Sequence, residues 1–250
     1  LGGAHEAKDA IAAAKFPLIR HITVANVNSK IPLEDATLSA PWTVCEPRTA
    51  GSFSAVAFYF GREIHSRLQV PVGLVHSSWG GTAIEPWTPP EGFASVTNFE
   101  ALAAAVTRTE EQSRQELAAM LDGIDAWSAA ARRALADKAP VPVGPNPSGF
   151  LQNSGPSGIY HAMIRPLIPY AIRGAIWYQG ESNFLNTKDG MIYKKRMEAL
   201  VGGWRKLWGL GDFPFYYVQI APFKYNANQP QDLPLFWEAQ TAAMEIPGTG

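Results

Sequence analysis

A single cysteine, Cys45, in 250 residues excludes a disulfide framework and any zinc site built on thiolates. A basic surplus is also missing. Twenty-one Lys and Arg stand against 22 Asp and Glu, a formal net charge of −1, which leaves no bulk attraction for a nucleic-acid backbone or an anionic membrane. Charge of either sign is scarce, at 17% of residues against about 25% in an average soluble protein. No apolar run reaches the roughly 18 residues that span a bilayer, and the first residues lack the basic, apolar and small-residue order of a signal peptide. An initiator Met is absent too: the chain opens on Leu1-Gly2-Gly3 and closes on Gly248-Thr249-Gly250, which reads as two cut or processed ends. What is present is 46% hydrophobic and 11% aromatic residues, ample for a buried core. The surface left over is rich in hydroxyl, amide, glycine and aromatic groups, which suits neutral, hydroxyl-rich ligands.

Apolar, β-branched runs bounded by turn residues predict strands over Ile19–Val24, Val70–His76, Ala171–Tyr178 and Phe213–Ile220. Helical spacing of apolar residues predicts helices over Phe53–Arg67, Ala162–Ile168 and Tyr193–Trp208. Alternating strands and helices imply an α/β domain with a mainly parallel sheet. The stretch from Val96 to Asp137 breaks the rhythm with one long or two shorter helices. Pro86 to Pro90 precede it and Pro140 to Pro147 come after it, so a helical insertion or lid over about 91–147 is expected within a single domain spanning 1–250. The Pro/Gly-rich stretch from Pro140 to Gly158 reads as a loop.

In open α/β sheets ligands collect beyond the carboxyl ends of the strands. There stand Ser77-Ser78-Trp79-Gly80-Gly81-Thr82 after the second strand and Gln179-Gly180-Glu181-Ser182-Asn183 after the third. A glycine N–H beside a side-chain amide is the material of an oxyanion hole. None of Ser77, Ser78 and Ser182 sits in a Gly-x-Ser-x-Gly elbow. Of the five histidines, His76 and His161 lie where a ligand is within reach; no pair has metal-ligand spacing. Trp79 and Trp87 are the tryptophans placed to line a pocket.

Three stretches carry a family resemblance. Val70 to Thr82 with Glu85 and Trp87, Arg173 to Asn183 with its Trp177-Tyr178-Gln179-Gly180-Glu181-Ser182-Asn183 string, and Val218 to Pro222 with Trp237 to Gln240 resemble the sialate O-acetylesterases, which are SGNH-type hydrolases. The resemblance implies a flavodoxin-like three-layer α/β/α fold with a helical insertion, and hydrolysis of acetyl esters on a sugar by serine–histidine chemistry with neither metal nor cofactor. Carried over by position, Gly81 or Gly80 gives a backbone donor, Gln179 or Asn183 a side-chain donor, and Glu181 holds the loop. Ser78, Trp79, Trp87 and His161 fall on the substrate side. It also implies an acetylated carbohydrate as partner and an extracytoplasmic location. The family's Gly-Gln-Ser-Asn-Met and Asp-x-x-His-Pro strings are not among these residues. Leu1-Gly2-Gly3 resembles the residues just after the serine string, and Ile246 to Gly250 those just before the histidine string, so the expectation is the interior of a longer esterase. An acetylxylan-type esterase and a sugar-binding protein without catalysis stand as alternatives.

Overall fold

The computed structural model describes residues 1–107, 110–146, 155–186, 190–225 and 231–250. After α1 (Ala7–Ala12), the strand β1 (Phe16–Val24) centres the first sheet. It pairs antiparallel with β2 (Leu38–Cys45) and in parallel with β3 (Val72–His76), from Ile19 opposite Val72 to Thr23 opposite His76. From β2 the chain passes through α2 (Pro47–Ala50) and α3 (Ala55–Leu68) to reach β3. Ser54 starts α3 by accepting a hydrogen bond from the Ala57 N–H at 3.3 Å, the usual service of an N-cap hydroxyl. Phe53, Ala57 and Phe58 then bury against Ile19, Cys45 and Leu74 to form a core under this sheet.

A second sheet pairs β4 (Ala175–Tyr178) with β5 (Phe215–Val218) in parallel, and Thr249 bridges to Phe215 on the far side. The expected α/β architecture is present with mainly parallel pairing, but the described residues form two small sheets, one of them with an antiparallel edge. The antiparallel strand escaped prediction because Pro41 interrupts it and its outer residues are exposed, as an edge strand permits.

Between β3 and β4 lie α4 (Pro90–Ala94), α5 (Glu100–Val106) and α6 (Glu110–Ala136), so the helical stretch is two helices beyond a short first one. Residues 108–109 between them, and 147–154 of the Pro140–Gly158 loop, lie outside the described residues. Where a helix was expected over Ala162–Ile168, a wide π turn at Tyr160–Ile164 gives way to a tight 3-10 turn at Arg165–Leu167. Pro166, lacking an N–H, is accommodated there. Among the described residues no helix is long and apolar enough to cross a membrane.

The rest is α7 (Glu181–Asn186), α8 (Ile192–Trp208) and α9 (Asp232–Ala242). Tyr193, Met197, Leu200 and Trp204 recur every three or four residues along α8, and all are buried in one core with Val24, Ile84, Trp87, Phe215 and Phe236. That core lies against the second sheet and reaches the first through Val24 at the end of β1. The indole N–H of Trp204 donates to the Trp87 carbonyl at 3.0 Å, tying α8 to the segment after β3. On its other flank α8 meets α4 at backbone distance: a Cβ on Gly92 would fall 2.2 Å from the Ala199 carbonyl oxygen. The contact is with backbone, so no side chain can swing aside. A Gly92→Ala variant is expected to lose roughly 1–3 kcal/mol of stability, the cost of overpacking, and to melt several degrees lower. An unchanged melting temperature would mean that the two helices do not approach so closely.

Candidate active site

The chain leaves β3 at His76 and turns through Gly80 and Gly81, the latter at a φ of 78° that side chains disfavour. The Thr82 hydroxyl steadies the turn, donating to the Trp79 carbonyl at 2.7 Å and accepting from the Trp87 indole at 2.9 Å. Among the described residues, the N–H groups of Gly80 and Gly81 donate no hydrogen bond. At the end of β4 the chain passes Gln179 and enters α7, where Asn183 stands one turn beyond Gln179.

The two side-chain amides seize the first loop. Gln179 Nε2 donates to the Thr82 carbonyl at 3.1 Å and to Asn183 Oδ1 at 2.7 Å. Asn183 Oδ1 also accepts from the Ile84 N–H at 2.9 Å, while Asn183 Nδ2 donates to Glu85 Oε2 at 2.9 Å. Each orientation is forced by its partner: a backbone carbonyl can only accept, a backbone N–H can only donate, and an ionised carboxylate can only accept. Gln179 and Asn183 are 8% and 3% exposed, so each polar atom left without a partner would carry a real desolvation cost.

Helix α8 closes the arrangement from behind. The buried Tyr193 hydroxyl lies 2.9 Å from Gln179 Oε1 and 3.0 Å from the Gln179 carbonyl, two acceptors within reach of one proton. Burial pushes the Tyr193 phenol well above its ordinary range, so it remains a neutral donor. Three residues on, Arg196 Nε sits 2.6 Å from Glu85 Oε1. The path thus runs from α8 through Glu85, Asn183 and Gln179 back to α8. A cavity of about 330 Å³ adjoins it, walled by Gly81, Thr82, Glu85, Pro156, Ser182 and Asn186.

The loops carrying Gly80, Gly81, Gln179 and Asn183 therefore lie together, and Ser182 faces the same cavity. Glu181 opens α7; the carboxylate that bonds this loop is that of Glu85. Ser78 is exposed, its Oγ 2.7 Å from His76 Nε2, and Trp79 is half-buried against the core. Trp87 and His161 are buried, at 3% and 4% exposed. The Trp87 ring packs edge-on to Trp177, and His161 Nδ1 lies 3.1 Å from the Ser29 carbonyl, which places the ring proton on that nitrogen. Tyr193 and Arg196 were missed from the sequence. Their signal is a spacing of three on a helix whose buried stripe starts at Tyr193, which puts Arg196 beside that stripe rather than opposite it.

The family model for carbohydrate esterases, sialic acid-specific acetylesterases, matches residues 151–248. The chain is similar to the sialate O-acetylesterase of Mus musculus, 30% identical over 92% of this chain and 42% of that protein. It is also similar to that of Rattus norvegicus, 34% identical over 76% of this chain and 33% of that protein. A crystal structure of a carbohydrate acetylesterase from Xanthomonas citri superposes with a TM-score of 0.70 and 26% identity, covering 99% of this chain and 44% of the other. The chain thus resembles the sialate O-acetylesterases, by a family match over residues 151–248 and by relatives of that name. It spans less than half the length of these sialate O-acetylesterases. The stretch matched by the family model includes Gln179, Asn183, Tyr193 and Arg196; the glycine turn and Glu85 precede it.

Burial lowers the ionisation of His161, His76 and His21 below the ordinary imidazole value, so all three favour the neutral ring in the folded state. The unfolded chain takes up protons as pH falls through about 6.5, before the folded state does. Their contribution to stability is complete above that pH and is lost as pH falls below it. His161→Asn keeps a donor for the Ser29 carbonyl without the titrating ring. It is expected to lose less stability than the wild type between pH 7 and pH 5 in urea unfolding; equal losses would clear His161 of any part in the acid sensitivity.

Proposed function

We propose that these residues form the oxyanion-binding side of an esterase that removes O-acetyl groups from a carbohydrate, with sialic acid the foremost substrate. The reading rests above all on one observation: two buried amides grip the backbone of a glycine turn whose Gly80 and Gly81 N–H groups donate no hydrogen bond among the described residues and whose Gly81 lines a cavity. The family supports an acetylated sugar as substrate. In this reading a serine hydroxyl attacks the acetyl carbonyl carbon and a histidine takes its proton, both supplied from outside these 250 residues. The carbonyl oxygen, as it turns into an oxyanion, accepts from the Gly80 and Gly81 N–H groups and from the Nδ2 proton of Asn183 not used by Glu85. Both amide protons of Gln179 are already engaged, so Gln179 holds the turn rather than the oxyanion. When the tetrahedral intermediate collapses, the sugar oxygen leaves with the proton from histidine; water then attacks the acetyl-serine, and acetate departs.

The flavodoxin-like three-layer arrangement belongs to the same proposal. One edge of β3 and one of β4 carry no strand pairing among the described residues, and a nucleophile-bearing strand between them would merge both sheets. Ser78 and Trp79 lie on the substrate side. The lid narrows to α6 and the segment after it, because Phe93, Phe99 and Val106 bury against α8 while α6 is largely exposed. Trp127 of α6 donates to the Pro142 carbonyl at 2.8 Å, folding that segment back on the helix.

Acetate release from an O-acetylated sialoside by the full-length protein tests the reading. Asn183→Ala and Gln179→Ala are expected to lower kcat by tenfold or more with a smaller change in KM, because an oxyanion exists only on the way to products. Removing 110–146 is expected to change KM for the sugar ester and to spare turnover of a small aryl acetate. Sugar binding without acetate release in the wild type would instead establish a non-catalytic binding protein.

A further inference from the structure

The glycine turn cannot fix its own donors. Gly80 and Gly81 carry no side chain to pack, a Cβ at either would meet nothing within 4 Å, and among the described residues the bonds holding the turn from within come from Thr82. Glycine backbone is the most mobile the chain has, whereas oxyanion donors act by being oriented before the reaction. Something rigid has to set them.

We propose that Tyr193 and Arg196 are the positioning residues that set this turn, acting through Gln179 and Glu85. Both project from α8, the best-anchored helix at the site: Met197, Leu200 and Val201 around them are fully buried. The Tyr193 hydroxyl fixes the plane of the Gln179 amide, whose other end grips the Thr82 carbonyl. Arg196 fixes the Glu85 carboxylate, which orients Asn183 against the Ile84 N–H. Thus α8 holds both ends of the segment Thr82–Glu85, and the glycines precede that segment directly. The Arg196–Glu85 pair is well sheltered, each side chain 19% exposed, and Arg196 Nη1 is buried with no hydrogen-bond partner among the described residues. Such a guanidinium depends on its one carboxylate far more than a surface arginine does.

This inference deepens the proposed esterase reading, and its kinetic arm rests on it. In the full-length protein, Tyr193→Phe and Arg196→Met are expected to lower kcat for acetate release by tenfold or more while KM stays within about threefold. Arg196→Lys, which keeps a cation for Glu85, is expected to recover part of the loss. Lys194→Ala, on the same helix and paired outward with Glu245, is expected to leave kcat unchanged. Folded variants with wild-type kcat, or a loss in Lys194→Ala as large as in Arg196→Met, would overturn the inference. Should the wild type release no acetate, the esterase reading fails by itself, and amide hydrogen exchange decides the positioning role. Exchange of the Ile84 N–H at least tenfold faster in Tyr193→Phe and Arg196→Met, but not in Lys194→Ala, supports it; unchanged exchange overturns it.

Discussion

Everything at the strand ends depends on the hydrogen bond between two buried side-chain amides, Gln179 Nε2 to Asn183 Oδ1 at 2.7 Å. This bond couples the orientations of both groups, and the loop after β3 selects the orientation, since the Thr82 carbonyl needs a donor and the Ile84 N–H an acceptor. In a site of low polarity such a network is stable only when every member is satisfied, since a lone amide there costs more than the bond it replaces. Two loops separated by nearly a hundred residues are thereby made one unit, across strands β3 and β4 that do not pair directly.

The supporting layer is apolar. The main core runs from Val24 and Ile84 to Phe215 and Phe236, with α8 as its longest contributor. Because Tyr193 begins the buried stripe of α8, the same packing that anchors the helix delivers a phenol to Gln179. Stability and site geometry share these contacts, so the close approach of α4 at Gly92 matters to the site as well as to the fold.

How much of this is readable in sequence depends on whether the determinant is local. Apolar runs announce β1, β3, β4 and β5 because covered strands need them, and α3 and α8 announce themselves by spacing. By contrast β2 hides behind Pro41, and α9 carries Pro234 in its first turn and apolar residues on all sides, which blurs its period. That the two polar loops come together was legible from composition and position at strand ends. The bonds within them were not: whether Gln179 offers a free proton depends on Thr82 and Asn183, and the bond from Asn183 to Glu85 depends on a contact across the fold. The burial of Trp87 and His161 was likewise illegible, since an aromatic beside a polar loop looks the same in sequence whether it faces solvent or core.

The most direct test of a single closed polar ring is a double-mutant cycle on unfolding free energy between Glu85→Gln and Tyr193→Phe. These two residues share no hydrogen bond and are connected through Asn183 and Gln179. A shared ring predicts a coupling above about 0.5 kcal/mol, because loosening one end already releases what the other end holds. Losses that add to within about 0.3 kcal/mol would show that the two ends act independently, and that the strand-end loops are not one unit.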